Sequence, residues 1–391
     1  MQNDRRNSTW ILIGLIFVFA AAAVSATRQS QVMSAQKEIP GPGKEGWKLA
    51  QPVTYENLTI FPVLASQEAD TSEFATLDAA LAAGDAVVTE QGSSLRRTRD
   101  AHTPADFSSG AQVNQLVLIN RGKKPLVLLA GEVVSGGKQD RIIAKDRIVP
   151  AGAVPLPLDV FCVEHDRWTG ASSKFSAGNL MVHPSVREKA AVEQDQEQVW
   201  ASVRGDTPPV VGMAAGSSAG LAGVPEAAPR ISPNSLAGAV ASARTQSYQE
   251  IYQASPIGAS VEDFAQEFDR RFDREKPGLK DEHVVGVVVA FGGEVAWSDV
   301  FASSQMFDAY WPKLLRSYAV EALTRPAVRE KVSLEDANDF LRPAGGHVTE
   351  ESEPGVYRWR EQSEGRIAVI ELAALAPRPV TLHWLRVLHT D

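Results

Sequence analysis

The sequence is poor in cysteine, because Cys162 is the only one among 391 residues. A single cysteine excludes an internal disulfide, and it excludes the cysteine pairs of zinc sites and thiol redox motifs. The chain also contains no HExxH pair, no His-x-His and no Walker phosphate loop, which are spacings that indicate a metal or a nucleotide phosphate. The fold must therefore be stabilised by core packing, and none of these spacings assigns a reaction.

Positive charge is also in short supply. Lysine and arginine number 39 against 48 aspartate and glutamate residues, which gives a net charge of -9. This balance argues against nucleic acid and against anionic membrane surfaces as partners. Hydrophobic residues make up 44% of the chain, so the protein is long and apolar enough to bury a large core.

Long apolar runs are missing except near the N-terminus. Arg5 and Arg6 precede an apolar stretch over residues 10–24, which ends in small residues. This order is typical of a secretory signal peptide, and the run is shorter than the roughly 20 residues of a transmembrane helix. Residues 1–26 are therefore predicted to be a signal peptide or an uncleaved N-terminal anchor, and residues 27–52 a flexible tether. We expect an exported, periplasmic or secreted protein that meets the membrane only through its N-terminal segment.

The rest of the chain is predicted to be α+β, with an antiparallel β-rich core packed with helices. Crossover βαβ spacing is absent, which disfavours a parallel sheet, and no segment repeats at a fixed period. Residues 53–391 should form one elaborate domain or two interlocked subdomains. Composition divides them into a β-rich half (53–170), a helical segment (171–282) with a low-complexity insertion (206–229), and a final part with a hairpin, a helix and strands (283–391).

Periodicity and punctuation predict the individual elements. Gly292-Gly293 between two apolar runs is typical of a β-hairpin, a capping box at Ser260 should begin a helix, and aromatic residues at helical spacing predict a helix over residues 307–323. His383, in a terminal strand, is interpreted as a satisfied strand histidine. The other predicted strands are residues 58–64, 86–89, 116–119, 126–129, 141–149, 154–163, 357–360, 366–372 and 380–388, and the other predicted helices are residues 76–83, 184–204, 236–252 and 333–341.

Two polar clusters interrupt the strand pattern between residues 114 and 170. Their amide and cationic side chains supply hydrogen-bond donors, an arginine adds a planar fork and a tryptophan adds a stacking face. This chemistry suits a small anionic, nucleotide-like metabolite. The predicted ligand-binding residues are Glu132, Lys138, Gln139, Arg141, Glu164, His165, Arg167 and Trp168. In an alternative interpretation, Arg167 forms a buried salt bridge with Glu132 or Glu164 beside Trp168 as a packing anchor.

Catalysis has weaker support in the sequence. Glu132, Asp140, Glu164 and His165 could form a carboxylate and imidazole cluster, but no metal-ligand spacing accompanies them. Cys162 lies on an apolar strand face, which is typical of a buried hydrophobe. The leading prediction is a non-enzymatic ligand-binding or accessory domain without metal or cofactor. Two alternatives stay open: a hydrolase of phosphorylated or ADP-ribosyl substrates with a glutamate general base, and a structural envelope protein.

Four motifs follow one another in the order LLAGEVVSGGKQDRI, VPAGAVPLPLDVFCVEHDRW, VGVVVAFGGEVAWSDVF and WPKLLRSYAVEAL. In this order they resemble the ARG and rhodanese-phosphatase-superfamily-associated protein domain family, from residue 58 to the C-terminus apart from the insertion. The chain has Asp140 and His165-Asp166 where the family pattern tends to have Asn and Gln-Gly. The family is named for genomic association with ADP-ribosylglycohydrolases and rhodanese-like phosphatases. The resemblance implies a link to NAD-derived or phosphorylated metabolites and assigns no established chemistry to these motifs.

Overall fold

The structure is a computed structural model, and it describes residues 46–90, 115–137, 139–163, 174–204, 230–232, 249, 256–275, 283–326, 328 and 330–389. All of them belong to one unit, Gly41–Asp391. The predicted signal peptide or anchor, the insertion at 206–229 and the predicted helix at 236–252, apart from Gln249, lie outside the described residues. Among the helices that are described, none is both long and apolar enough to cross a membrane.

The described residues form eighteen strands and six α-helices, which confirms the α+β class. The strands are β1 (Trp47–Leu49), β2 (Val53–Tyr55), β3 (Leu58–Ala65), β4 (Ala75–Thr76), β5 (Ala86–Glu90), β6 (Gln115–Asn120), β7 (Leu126–Leu128), β8 (Glu132–Gly136), β9 (Arg141–Ile143), β10 (Arg147–Val149), β11 (Leu156–Cys162), β12 (Lys174–Met181), β13 (His283–Phe291), β14 (Glu294–Phe301), β15 (His347–Glu353), β16 (Tyr357–Glu364), β17 (Ile367–Ala374) and β18 (Val380–Leu388). The helices are α1 (Leu77–Ala83), α2 (Pro184–Glu188), α3 (Gln196–Arg204), α4 (Pro256–Glu275), α5 (Ser304–Thr324) and α6 (Leu334–Phe340), with a π-helical turn at Lys189–Glu193.

The largest sheet has nine strands, all paired antiparallel. Its order is β1-β3-β13-β14-β18-β17-β16-β15, with β2 paired to β3 beside this path. The central strands β13, β14 and β18 are buried along almost their whole length, as expected for a sheet that is covered on both faces. Strand β15, at the end of the order, is exposed along almost its whole length.

A closed barrel contains six strands in the order β11-β6-β5-β12-β8-β9. Apolar side chains that include Val88, Leu118, Val134, Ile143 and Val160 form one buried cluster in this part of the chain. A three-stranded sheet, β10-β7-β4, adjoins it. Of the predicted site residues, Glu132 begins β8, Arg141 begins β9 and Gln139 lies between these two barrel strands.

Helix α5 packs against the main sheet and against α4. Phe264, Phe268 and Phe272 form the buried edge of α4, and the ring of Phe272 stacks on Trp311 of α5 with 5.3 Å between centroids. Most of α5 is buried around its full circumference, which is typical of a helix inside a large core. The hydroxyl of Tyr310 donates to the carbonyl of Val127 in β7 at 2.8 Å, so α5 also contacts the three-stranded sheet.

Several predicted elements are confirmed. Strands β13 and β14 form the predicted hairpin around Gly292-Gly293, and α5 spans the predicted aromatic stripe with Pro312 inside the helix. Helix α1 begins after its N-cap Thr76 and ends at Gly84 in the left-handed conformation. Ser333 caps α6 through a complete capping box.

Other predictions differ from the structure. The predicted capping residue Ser260 lies inside α4, which already begins at Pro256. Proline can occupy the first turn of a helix because the N–H that it lacks would have no partner within the helix there. The helix predicted over residues 184–204 is divided, since the π-helical turn ends at Gln194 with φ 51°. The strand predicted over residues 141–149 divides into β9 and β10. Asp146 lies in this break, and its carboxylate makes the contacts described below.

Candidate functional site

Gln139 and Arg141 are the members of the predicted site that contact each other. Arg141 Nη1 donates to Gln139 Oε1 at 3.0 Å, and both side chains are buried. The predicted site residues Lys138, Glu164, His165, Arg167 and Trp168 lie outside the described residues. Their participation in a site stays a prediction.

The strand register joins the borders of the two polar clusters at one end of the barrel. Arg141 in β9 pairs with Cys162 in β11, and the N–H of Val163 donates to the carbonyl of Asp140 at 3.4 Å. The side-chain amide of Gln196 in α3 accepts from the N–H of Cys162 at 2.8 Å and donates to its carbonyl at 2.9 Å. Val163, the last described residue before the second cluster, therefore lies beside the first cluster.

Glu132 has different neighbours and belongs to a buried ion cluster. Its carboxylate accepts from the ammonium of Lys313 in α5 and from the N–H of Leu129, the latter at 2.6 Å. Lys313 also donates to Asp78 at 2.6 Å. Burial raises the pKa of Glu132 although Lys313 acts to lower it. Burial lowers the pKa of Lys313, but Glu132 and Asp78 outweigh that effect and raise it.

A second buried cluster is centred on His383 in β18. Its Nδ1 lies 2.5 Å from Asp146 and its Nε2 lies 2.9 Å from Asp299, while Arg187 of α2 donates to Asp299 at 2.9 Å. At most 1% of any of these four side chains is exposed. Two carboxylates, a guanidinium and a protonated imidazole sum to zero charge, which is the condition for burying ions at a tolerable desolvation cost. His383 is thus a satisfied strand histidine, as predicted.

The electrostatics of this cluster favour the charged forms. Burial raises the pKa of Asp299, but Arg187 and His383 lower it far below its usual range. Burial lowers the pKa of His383, but Asp146 and Asp299 raise it above its usual value. The raised pKa favours an imidazolium that donates from both nitrogens, so His383 has no free nitrogen with which to act as a base.

The His383 cluster ties the barrel connections to the main sheet. Asp146 Oδ1 accepts from the N–H of Ala130 at 2.7 Å, and Arg187 Nε donates to the carbonyl of Ala130 at 2.9 Å. Gly131, in the LLAGE motif, has φ 88°, and a Cβ at this position would lie 2.8 Å from the side chain of Arg187. The motif therefore supplies backbone groups and space for buried charges, and this role is structural.

An open cleft of about 380 Å³ lies where the connection from β9 to β10 meets β11 and the β15–β16 hairpin. We call it the KDR cleft, after Lys145, Asp146 and Arg147. Its lining residues are Ala144, Lys145, Asp146, Arg147, Leu158, Asp159, Val160, Phe161, Gln194, Glu351 and Tyr357. The carboxylate of Asp146 is bound by His383 and by the N–H of Ala130. The cleft therefore presents two cations on either side of a carboxylate whose charge is already compensated, and its lining also carries the carboxylates of Asp159 and Glu351.

One group among the described residues has the composition of a metal site. Ligand atoms of Glu188, Glu193 and His389 lie within 4.8 Å of one another. His389 Nδ1 lies 2.9 Å from Glu188, and the ammonium of Lys189 pairs with Glu193 and lies 3.9 Å from Glu188. Lys189 thus provides the positive charge that a metal would otherwise supply, and the group supports no metal assignment.

Sequence reasoning missed Asp146, Arg187, Asp299 and Lys313. A signal was present for two of them, because Asp299 interrupts the apolar strand VAWSDVF and Lys313 interrupts an aromatic and leucine stripe. Charged residues in such positions are almost always buried with a partner. The partner could not be identified, since Arg187 and Asp299 are 112 residues apart and no local pattern links them.

Comparison with known proteins agrees with the resemblance seen in the sequence. The family model of the ARG and Rhodanese-Phosphatase-superfamily-associated Protein domain matches residues 46–385. Searches of curated proteins and of solved structures give no significant match. The matched range covers the whole described fold except its last residues, from β1 to β18. The chain therefore belongs to the ARG and Rhodanese-Phosphatase-superfamily-associated Protein domain family.

Proposed function

We propose that the protein is a non-enzymatic binding domain for a small anionic metabolite, and that the anionic group of the ligand lies in the KDR cleft. The association of the family with ADP-ribosylglycohydrolases and rhodanese phosphatases, which its name records, is compatible with a phosphorylated or ADP-ribosyl ligand. One observation carries the proposal, namely the incomplete hydrogen bonding of Arg147.

Arg147 uses its guanidinium only in part, and one of its contacts is a hydrogen bond with the side chain of Tyr357. Nη1 donates to the carbonyl of Pro157 at 2.9 Å, while Nη2 lies 3.7 Å from Glu353, too far for a hydrogen bond to that carboxylate. Nε is buried and has no hydrogen-bond partner among the described residues. An unpaired buried donor costs about 1–3 kcal/mol, and guanidinium groups favour bidentate contact with carboxylate or phosphate. An anion beside Nη2 would supply an acceptor to this guanidinium.

Lys145 adds a second cation to the cleft and lies against an aromatic wall. Its ammonium is 4.0 Å from the centre of the Trp359 ring and 2.6 Å from Glu351. Tyr357 and Phe161 also line the cleft. Five of the eleven lining residues are charged, and charged groups that converge beside apolar and aromatic walls occur in small-molecule sites. This composition suits a ligand with an acidic part and a flat part.

A hydrolase with Glu132 as general base has less support. A general base must come within roughly 2.6–3.2 Å of the proton that it removes. The side chain of Glu132 is 2% exposed, and Lys313 and the N–H of Leu129 occupy its carboxylate. His383 is enclosed between two aspartates. Glu164, the other predicted base, lies outside the described residues.

Isothermal titration of the full-length protein with ADP-ribose, ADP and inorganic phosphate tests the proposal. We expect Lys145→Gln and Arg147→Gln each to weaken binding roughly 10- to 100-fold, because hydrogen bonds to charged groups contribute about 1.5–3 kcal/mol. The matched control is Arg230→Gln, which removes one charge from a surface ion pair with Glu56 at 3.0 Å, outside the cleft lining. It should leave the affinity unchanged.

Other outcomes would contradict the cleft. Equal weakening of binding by Arg230→Gln would mean that the net charge of the protein, and not the cleft, attracts the anion. Loss of binding only in Arg167→Gln and Trp168→Ala would locate the ligand at the second polar cluster that the sequence predicts. Absence of binding and turnover with every probe would favour a structural envelope protein.

We also propose that binding takes place outside the cytoplasm. The basic residues and apolar stretch at residues 1–26 support this location. N-terminal sequencing of the protein recovered from the cell envelope would detect cleavage after the leader. Recovery of the intact chain from the cytoplasm alone would contradict export.

A further inference from the structure

Strand β15 brings two carboxylates of the chain itself to the cations of the KDR cleft. Glu351 Oε1 lies 2.6 Å from Lys145 Nζ, and Glu353 Oε2 lies 3.7 Å from Arg147 Nη2. The two glutamates are two residues apart in one strand, so they share a face and their Cα atoms are about 7 Å apart. Each cation of the cleft therefore faces an acidic group that is already present.

These carboxylates are placed so that a ligand can displace them. The side chains of Glu351 and Glu353 are 55% and 36% exposed, and ion pairs as exposed as these contribute little to stability. Strand β15 ends the order of the main sheet and pairs, within the described residues, with β16 alone. Rotation of two glutamate side chains would open the cleft without disturbing a buried contact.

We propose that Glu351 and Glu353 imitate the ligand and compete with it for the two cations. The ligand of the cleft is then a small dianion with two separated acidic groups, either a dicarboxylate or a diphosphate. Lys145 and Arg147 are also two residues apart, so each of these cations faces one of the two glutamates of β15. The competition lowers the apparent affinity, so β15 sets the ligand concentration at which the site fills. This inference rests on the proposed binding at the KDR cleft.

The strand provides a matched control for charge. Glu350 precedes Glu351 and points to the opposite face of β15, where its carboxylate lies 3.8 Å from Arg358. It does not line the cleft. Glu350→Gln and Glu351→Gln thus make the same change of net charge on opposite faces of one strand.

Isothermal titration of the full-length protein tests the inference with four probes: pyrophosphate, glutarate, inorganic phosphate and butyrate. We expect wild type to bind a doubly acidic probe more tightly than its singly acidic counterpart. The double variant Glu351→Gln, Glu353→Gln should bind the dianion roughly 2- to 20-fold more tightly, since two exposed ion pairs no longer compete. Glu351→Gln alone should already tighten binding, whereas Glu350→Gln, with the same change of net charge, should change the affinity less than about twofold. Pyrophosphate against glutarate decides between phosphate and carboxylate.

Contrary outcomes separate the inference from the proposed function. If the double variant binds no more tightly than Glu350→Gln while Lys145→Gln still weakens binding, the cleft binds an anion and the imitation by β15 is wrong. If singly acidic probes bind as tightly as doubly acidic ones, the dianion class is wrong. If no probe binds wild type or the double variant, and both give unchanged melting temperatures, the proposed function fails with the inference.

Discussion

Replacing Asp299 by asparagine would test whether the His383 cluster holds the fold together. The substitution keeps the shape of the side chain but removes one charge from a buried group of four. Arg187 would lose its carboxylate partner at 2.9 Å and stay fully buried, and Tyr318, which donates to Asp299 at 2.5 Å, would keep only a neutral acceptor. Removing one partner of a buried pair costs about 3–5 kcal/mol. We therefore expect Asp299→Asn to lower the free energy of unfolding by about this amount, a large part of the roughly 5–15 kcal/mol of a typical protein.

Guanidinium denaturation followed by circular dichroism would measure the loss. The matched control is Glu262→Gln, which removes a charge from the partly exposed pair with Arg316 at 2.8 Å and should cost less than about 1 kcal/mol. A second variant, Asp299→Leu with Arg187→Met, removes both charges and should recover part of the stability, because apolar replacements of whole buried ion pairs are often tolerated. A cost for Asp299→Asn as small as that of Glu262→Gln would refute the role of the cluster.

Two further predictions concern stability elsewhere in the fold. Burial raises the pKa of Glu321, but Arg325 and His183 lower it to about 2. Because the pKa of this carboxyl is higher in the unfolded chain, its stabilisation is present above pH 4.5 and disappears as the pH falls towards 2. The stability advantage of wild type over Glu321→Gln in urea titrations should therefore shrink by roughly 3 kcal/mol across that range. A constant difference would contradict the lowered pKa. Gly136 has φ 138°, and a Cβ there would lie 2.5 Å from the carbonyl oxygen of Lys174. Gly136→Ala should therefore lower the melting temperature more than Gly355→Ala, because the surroundings of Gly355 are open. Equal effects would show that the barrel strands adjust without cost.

The sequence predicted the elements whose signals are local. The hairpin of β13 and β14 needs only a glycine pair between apolar runs, and α5 needs only an aromatic stripe at helical spacing. Thr76 and Ser333 cap α1 and α6 through bonds that span three residues. Such signals can be read from a short window because the atoms that make them are neighbours in the chain.

The division of the predicted strand at Asp146 was beyond such reasoning. Residues 141–149 look like one continuous strand, and only the distant partner His383, 237 residues away, explains why the chain leaves the ladder there. The closed barrel has the same origin, since β9 pairs with β8 and β11 through registers that no single strand encodes.

For the same reason, the KDR cleft was not predicted from the sequence. Gln139 and Arg141 are close in sequence and contact each other, but their binding of a ligand stays a prediction. Glu132 was selected as a polar residue in a strand, but its partner Lys313 is 181 residues away. The KDR cleft joins the β9–β10 connection to the β15–β16 hairpin. Lys145 and Glu351 are 206 residues apart, and no pattern in the sequence indicates that they come together.

A crystal structure of the protein with pyrophosphate at saturating concentration would show directly whether the KDR cleft binds a dianion. We expect phosphate density in contact with both Lys145 and Arg147, with the carboxylate of Glu351 turned away from the ammonium that it now contacts. Pyrophosphate bound elsewhere, with Glu351 still paired to Lys145, would contradict this expectation.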